Sequence, residues 1–282
     1  MQKRDDAMVP RAGALAHLRS MLNAPDANSG GGRQQQFELS IGCVPFRLQM
    51  TDPQLYDAAS VRYAAFTGAG THPIHIALND FSIEEREPAE FAYEFEGAVL
   101  RDSSSHTNFY GVGNEFALDS LLRVLLSWKL AGRDGFLLHA ATVIRNGKAY
   151  VFTGRSGAGK STVASLSAEG TVLTDEISLL RYEDGVWRAY GTPFWGEFRA
   201  AGSNTSAPVR GIFRLVQSSG NRLTPLRPVE MLRALLPNVL FFSAETKANR
   251  RLLGILAQAA EEILSYELAF RKDQTFWEVL PE

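Results

Sequence analysis

Gly154-Arg155-Ser156-Gly157-Ala158-Gly159-Lys160-Ser161-Thr162 is the stretch on which the reading of this chain turns. It fits G-x-x-x-x-G-K-[ST], the pattern of a phosphate-binding loop. Ala149-Tyr150-Val151-Phe152 precedes it as an apolar run of strand type. Thr162-Val163-Ala164-Ser165-Leu166 follows with helix-compatible residues. The motif therefore stands between a strand and a helix N-terminus, where unsatisfied N–H groups and the helix dipole favour an anion. The glycines let the backbone turn inward around phosphate. Lys160 supplies a point charge for the β- and γ-phosphates, and the Ser161 hydroxyl is of the type that ligates Mg²⁺. All of residues 154–162 are thus candidate nucleotide contacts. The plain alternative is an ordinary glycine turn before a helix, which the two matching flanks disfavour.

Composition sets the frame around that loop. A length of 282 residues suits one large domain or two small ones. A hydrophobic fraction of 45% and a charged fraction of 21% are those of a globular protein with a full core. The formal net charge of −2, with no block of like charge, argues against a nucleic-acid partner. Cys43 is the single cysteine, which excludes an intrachain disulfide and suits a reducing compartment. No apolar run approaches the ~20 residues of a membrane span. The nearest, Leu235 to Phe242, is interrupted by Pro237 and Asn238. With no secretory signal either, the expectation is a cytoplasmic protein without a membrane partner.

Outward from the loop, the chain reads as three segments. Residues 1–36 form a flexible N-terminal segment: a short helical pattern of Leu15, Leu18 and Leu22, then a polar, glycine-rich linker. Residues 37–115 read as a small α+β module of short alternating strands (Phe37–Ile41, Pro73–Leu78, Phe91–Glu96) with a helix near Pro53–Phe66. Its His72 and His75 have no Cys or paired carboxylate at ligand spacing, so they read as strand and turn histidines. Residues 116–282 form the nucleotide-binding domain. Leu118, Leu121, Leu122, Leu125 and Trp128 mark an amphipathic helix over Phe116–Ala131. Asn146-Gly147 between two apolar runs signals a tight hairpin, so the strand feeding the loop should be its second arm. Asp184-Gly185 signals a second hairpin. Further strands are expected over Val209–Val216, Arg222–Leu226 and Phe276–Leu280, and helices over Val229–Leu236 and Ala248–Glu267. The fold class expected is α/β with a mixed sheet and antiparallel hairpins.

After the loop helix, Val172-Leu173-Thr174 ends in Asp175-Glu176. The 15 residues from Lys160 to Asp175 admit one short helix and one strand. Asp175 is therefore expected at a strand end beside the loop, where a Mg²⁺-directed aspartate belongs. Gly191-Thr192-Pro193-Phe194-Trp195-Gly196-Glu197-Phe198 follows as a loop of the kind that carries function.

Leu138-His139, the hairpin, the glycine-rich loop, the quick return to Thr174-Asp175-Glu176 and the Gly191–Phe198 loop together resemble the C-terminal domain of HPr serine kinase/phosphorylase. They resemble more closely the HPr-kinase-related proteins, which include kinases encoded with peptide-modification pathways. The resemblance spans about residues 116–230 and implies a phosphoenolpyruvate-carboxykinase-like P-loop fold. It implies transfer of the γ-phosphoryl of ATP to a serine hydroxyl with Mg²⁺, by a family whose members often assemble as homo-oligomers. By that resemblance, Lys160 and Ser161 bind the nucleotide phosphates and Mg²⁺, and Asp175 lies near the metal. Glu176 stands where the family has a second aspartate, its base, and His139 matches a histidine near the transferred phosphate. The glutamate departs from the family pattern and puts the reverse, phosphorylase reaction in doubt. Residues 1–115 do not match the family's N-terminal domain.

The leading expectation is an ATP-dependent kinase acting on a hydroxyl of a protein, peptide or small molecule. A nucleotide hydrolase and a nucleotide-sensing module without turnover stay open beside it. Catalytic candidates are Glu176, Asp175, His139 and Lys160, and metal candidates are Ser161, Asp175 and Glu197. His139 on an apolar strand reads equally as a core histidine, and Glu197 equally as a capping carboxylate. Arg155, Arg199, Arg210 and Arg222 are further cations whose spacing singles none of them out.

Overall fold

The computed structural model describes residues 35–50, 52–70, 74–78, 91–95, 98–102, 107–110, 114–167, 169–194, 202–243 and 245–282. Residues 1–34, with the expected N-terminal helix and linker, lie outside the described residues. So do His72, Trp195, Glu197 and Arg199.

The described residues divide into two units. One takes in the residues up to Leu39 with Pro45–Val61 and Ala69–Leu118. The other takes in Ser40–Val44, Arg62–Gly68 and Asp119–Glu282. The first sheet has six strands: β1 (Gln35–Ile41), β2 (Val44–Met50), β3 (Ile74–Leu78), β4 (Phe91–Phe95), β5 (Ala98–Asp102) and β6 (Thr107–Tyr110). Their order is β1-β2-β3-β6-β5-β4, with β3 parallel to both its neighbours. On β1, Phe37, Leu39 and Ile41 are buried while the residues between them are partly exposed, the period-2 signature of a strand covered on one face. Helix α1 (Pro53–Arg62) is followed by a 3₁₀ turn, Ala64–Phe66.

Helix α2 (Glu115–Ala131) is started by Asn114, whose side chain accepts from the N–H groups of Phe116 and Ala117. Then come β7 (Gly135–Arg145), β8 (Lys148–Thr153), α3 (Lys160–Ser165), β9 (Thr171–Thr174), β10 (Ile177–Glu183), β11 (Val186–Tyr190) and β12 (Ser206–Gln217). After them follow β13 (Arg222–Pro225), α4 (Pro228–Leu235), β14 (Val239–Leu240), α5 (Thr246–Glu262) and β15 (Ser265–Phe270). Nine of these strands make one mixed sheet, ordered β11-β10-β7-β8-β12-β15-β13, with β9 and β14 also paired to β7. β8 runs antiparallel to β7 but parallel to β12, and β12 runs parallel to β15. The expected α/β class with a mixed sheet and antiparallel hairpins is what the chain adopts.

The hairpin turns explain the antiparallel arms. Asn146 and Gly147 have φ of 51° and 70°, and Asp184 and Gly185 have 50° and 80°. Both central residues of each turn are thus left-handed, the geometry that matches strand twist and that Asn-Gly and Asp-Gly tolerate. β7 is the sheet's spine: its N-terminal half pairs with β10 and its C-terminal half with β8.

Both faces of the sheet are covered, and β8 shows how. Ala149 and Val151 join a cluster with Met231, Leu235, Leu252 and Leu256 from α4 and α5. Tyr150 and Phe152 point the other way, into a cluster with Val163 of α3, Phe213, Phe270 and Phe276. A sheet buried on both sides needs near-continuous apolar strands, and β7 and β8 supply them.

Two expected elements differ. The helix read over Ala248–Glu267 ends at Glu262, and Ser265–Phe270 is β15. Glu, Leu and Ala are good helix formers, but pairing with β12 and burial of Leu268 and Phe270 override that propensity. The final strand read over Phe276–Leu280 is instead a 3₁₀ turn, Gln274–Val279, capped by the Asp273 carboxylate on Thr275 N–H. It lets adjacent Phe276 and Trp277 both pack on Phe152, which alternating strand side chains could not do.

Candidate active site

The glycine-rich loop joins β8 directly to α3. Gly154, Gly157 and Gly159 have φ of 155°, 77° and 109°. At Gly159 a β-carbon would also stand 2.5 Å from the Phe270 ring, so this position demands glycine twice over. Lys160 is buried, and its Nζ donates to Gly154 O (3.0 Å) and Arg155 O (3.3 Å), so the ammonium is folded into the loop's own concavity. Gln217, the last residue of β12, donates through Nε2 to Gly157 O at 2.7 Å and braces the loop from the neighbouring strand. Helix α3 has only six residues, so the loop amides and Lys160, more than a long helix dipole, define the electrostatics here. Ser161 and Thr162 are partly exposed on its first turn, and Arg155, Ser156 and Gly157 are exposed.

Asp175 and Glu176 form the bend between β9 and β10. The Thr174 hydroxyl accepts from Glu176 N–H and Ile177 N–H, both at 3.2 Å, and turns the chain there. On a continuous strand the two carboxylates would face opposite ways; at this bend they need not. Asp175 is buried.

The carboxylate of Glu176 stands 3.5 Å, Oε2 to Nε2, from His139, with both side chains about one-third exposed (31% and 33%). His139 is brought there by register: it lies opposite Ile177 on β10, and Ala140 N–H donates to Glu176 O at 3.1 Å. Hydrogen bonding to His139 holds the Glu176 carboxyl below its ordinary range. Burial opposes that shift, and the charges of His139, Arg123 and Lys160 add to it. Glu176 is therefore an ionised carboxylate that faces His139.

Arg123, on α2, was not singled out by the sequence reading. Its Nε donates to Asp119 Oδ2 at 2.7 Å, and its guanidinium lies 5.1 Å from the centroid of the buried Phe194 ring. Asp119 is buried and also accepts from Arg62 Nη2 at 2.5 Å. Burial holds the Asp119 carboxyl above its ordinary range, and the two arginines offset only part of that rise. The Asp119–Arg123 spacing of four on a helix is a signal the sequence carried. Phe194 belongs to the loop after β11, which Thr192 fastens by donating from its hydroxyl to Ile177 O at 2.6 Å.

Arg210 donates to Glu282 O at 2.6 Å, and Arg222 opens β13. A cavity of about 550 Å³ opens among Arg145, Tyr150, Ser167, Glu169 and Trp277, and none of Lys160, Asp175, Glu176 or His139 lines it. Among the described residues no group of three or more His, Cys, Asp or Glu side chains could hold a metal alone. The buried carboxylate of Asp175 and the hydroxyl of Ser161 are groups of the types that hold a Mg²⁺ taking most of its ligands from phosphate and water. Among the described residues no helix is long and apolar enough to cross a membrane.

Residues 117–280, more than half of the chain, match the family model described as SynChlorMet cassette protein ScmC. No curated protein matches the chain. Solved structures do match, among them the Hpr(Ser) kinase/phosphatase from Coxiella burnetii. That chain is 13% identical, with 43% of this chain and 87% of that chain covered, at a TM-score of 0.25. This is a weak structural likeness.

Proposed function

The chain belongs to the SynChlorMet cassette protein ScmC family, and we propose that it is an ATP-dependent phosphotransferase with an alcohol acceptor, a serine of a protein or peptide. The observation that carries this reading is the Glu176 carboxylate, held ionised against His139 and in the electrostatic field of Lys160, the lysine of the glycine-rich loop. Phosphoryl transfer asks little covalent help of an enzyme. It asks for a phosphate cradle, cations, and a base near the acceptor hydroxyl.

In this reading the loop is a P-loop of phosphoenolpyruvate-carboxykinase-like type. Residues 154–162 wrap the ATP phosphates, and Lys160 exchanges its contacts with Gly154 O and Arg155 O for phosphate oxygens. Ser161 and Asp175 are the residues that hold Mg²⁺; Glu197, the third candidate, lies outside the described residues. Mg²⁺ supplies charge neutralisation on the phosphates. Glu176 accepts the proton of the acceptor hydroxyl as its oxygen bonds to the γ-phosphorus and the bond to the β,γ-bridging oxygen breaks, releasing ADP. His139 holds the carboxylate in orientation. The protein works in the cytoplasm, and needs neither nucleic acid nor membrane.

The test is ADP release with Mg²⁺-ATP, with and without candidate serine peptides, paired with mass spectrometry of the peptide. A gain of one phosphoryl on a serine, together with acceptor-dependent ADP release, is the expected result. Equal ADP release without acceptor makes the protein a hydrolase. Nucleotide binding without any ADP release makes it a sensor.

A further inference from the structure

The glycine-rich loop is supported from strands beyond its own. β12 runs parallel to both β8 and β15, and its last residue, Gln217, pairs with Phe270, the last of β15. Each left-handed glycine of the loop meets a residue from these two strand ends. A β-carbon on Gly154 would stand 3.5 Å from Leu215 O, and one on Gly159 would stand 2.5 Å from the Phe270 ring. Gly157 O accepts from Gln217 Nε2 at 2.7 Å. Leu215 and Gln217 are two apart on β12 and so share a face.

The first two are packing contacts, and the third is different in kind. Nothing lies within 4 Å of where a Gly157 β-carbon would be, so packing does not hold this part of the loop. A glycine at φ of 77° has wide backbone freedom, and the peptide that follows it could turn over at little steric cost. That peptide is nonetheless held at both ends. Its carbonyl, Gly157 O, accepts from Gln217, and its N–H, that of Ala158, donates to Arg155 O at 3.0 Å. The same Arg155 O accepts from Lys160 Nζ at 3.3 Å. Gln217 therefore anchors a chain of hydrogen bonds that ends on the loop lysine. A carboxamide does this without bringing a charge to the loop. Gln217 is exposed, and one neutral bond at the surface is a small part of global stability, so its effect is local.

We propose that Gln217 is a positioning residue for the nucleotide: its amide holds the Gly157–Ala158 peptide in the orientation in which the loop takes phosphate. The inference rests on the phosphotransferase reading, which puts the nucleotide phosphates in this loop. A ligand that binds one loop arrangement loses apparent affinity in proportion to the fraction of molecules holding that arrangement. A neutral hydrogen bond shifts such a fraction by roughly two- to tenfold. Because ADP and ATP both use the loop, both should lose by the same factor.

The experiment compares wild type, Gln217→Met and Gln217→Lys as full chains. Methionine keeps the length and removes the donor; lysine restores a donor. Three quantities are measured: amide hydrogen exchange across residues 156–159 without nucleotide, the melting temperature without nucleotide, and calorimetric affinity for Mg²⁺-ADP and a non-hydrolysable Mg²⁺-ATP analogue. Gln217→Met should exchange several-fold faster at Ala158 and bind both nucleotides roughly two- to tenfold more weakly. Its melting temperature should move by less than about 2 °C. Gln217→Lys should return exchange to the wild-type rate. Unchanged exchange in Gln217→Met, faster exchange with unchanged affinities, or a lysine variant that exchanges as fast as the methionine one overturns the inference and leaves the phosphotransferase reading standing. Wild type that binds neither nucleotide overturns both.

Discussion

Gly159→Ala separates the two constraints on the glycine-rich loop, and its cost can be worked from the structure. Gly159 has φ of 109°, which an alanine adopts only with strain. Its new β-carbon would stand 2.5 Å from Phe270 Cζ and 3.2 Å from Cε1. Carbon contacts settle near 3.5–4.0 Å, so the ring must retreat by about 1 Å. It has little room to do so: Phe270 is fully buried and edge-on to Phe276 at 6.0 Å. Overpacking of that kind costs about 1–3 kcal/mol. The left-handed backbone adds about 1–2 kcal/mol, and the stiffer unfolded chain returns about 0.4–1 kcal/mol. The net expectation is a loss of roughly 2–4 kcal/mol. Gly157→Ala is the internal control. It carries φ of 77°, but its β-carbon would meet nothing within 4 Å, so only the backbone term of about 1 kcal/mol remains. Urea denaturation of both variants reads the difference. In a Phe270→Leu background the Gly159→Ala penalty should shrink by about 1 kcal/mol or more, a non-additivity that marks direct contact. If Gly159→Ala is no worse than Gly157→Ala, or its cost is unchanged by Phe270→Leu, the packing argument is wrong.

Three further outcomes are expected. Mg²⁺-ATP should raise the melting temperature of the wild type by mass action, and Lys160→Ala should abolish most of that rise in a thermal-shift titration; an undiminished shift would take the nucleotide away from this loop. Asp175→Asn should leave unfolding nearly unchanged while lowering turnover by orders of magnitude and flattening its Mg²⁺ dependence; a wild-type metal titration would move the metal elsewhere. Glu176→Gln should slow transfer by about 10²–10⁴-fold with ATP affinity intact, as loss of a general base does. Its stability signature follows from the lowered carboxyl. A carboxyl more acidic in the folded than in the unfolded state stabilises at pH above the unfolded value, about 4.3, and the benefit disappears as pH falls through the folded value below it. The stability gap between wild type and Glu176→Gln should therefore be present at pH 7, on the scale of at most about 1 kcal/mol for so exposed a pair, and close in acid; a gap that widens toward low pH contradicts the assignment.

Which parts of this were legible in the sequence follows from the range of the forces involved. Asn146-Gly147 and Asp184-Gly185 announce their hairpins because positive φ is a requirement met within two residues, and the structure has it at all four positions. The strand–loop–helix order around Gly154 and the bend at Asp175-Glu176 are equally local: the Thr174 hydroxyl that makes the bend is within two residues of the carboxylates it turns. β15 and the 3₁₀ turn at Gln274–Val279 were misread because their neighbours decide them, β12 in one case and Phe152 in the other, each far away along the chain. His139 lay between these cases. Its place on an apolar strand left core and catalytic roles level, and only the register that sets it against Ile177 brings its ring to Glu176. Arg123 was out of reach for a different reason. Its partner Asp119 is one helical turn away and visible, but a pair spaced by four on a helix is ordinarily a solvated surface pair worth a few tenths of a kcal/mol. What lifts this one out of that class is Arg62 from a distant segment, which buries the carboxylate, and Phe194 from the loop after β11, which covers the guanidinium. Neither contact has a sequence signature. The chemistry-bearing residues near the loop were readable because they are chemically unusual where they stand. Arg123 is unusual only in its company, and that company is supplied by the fold.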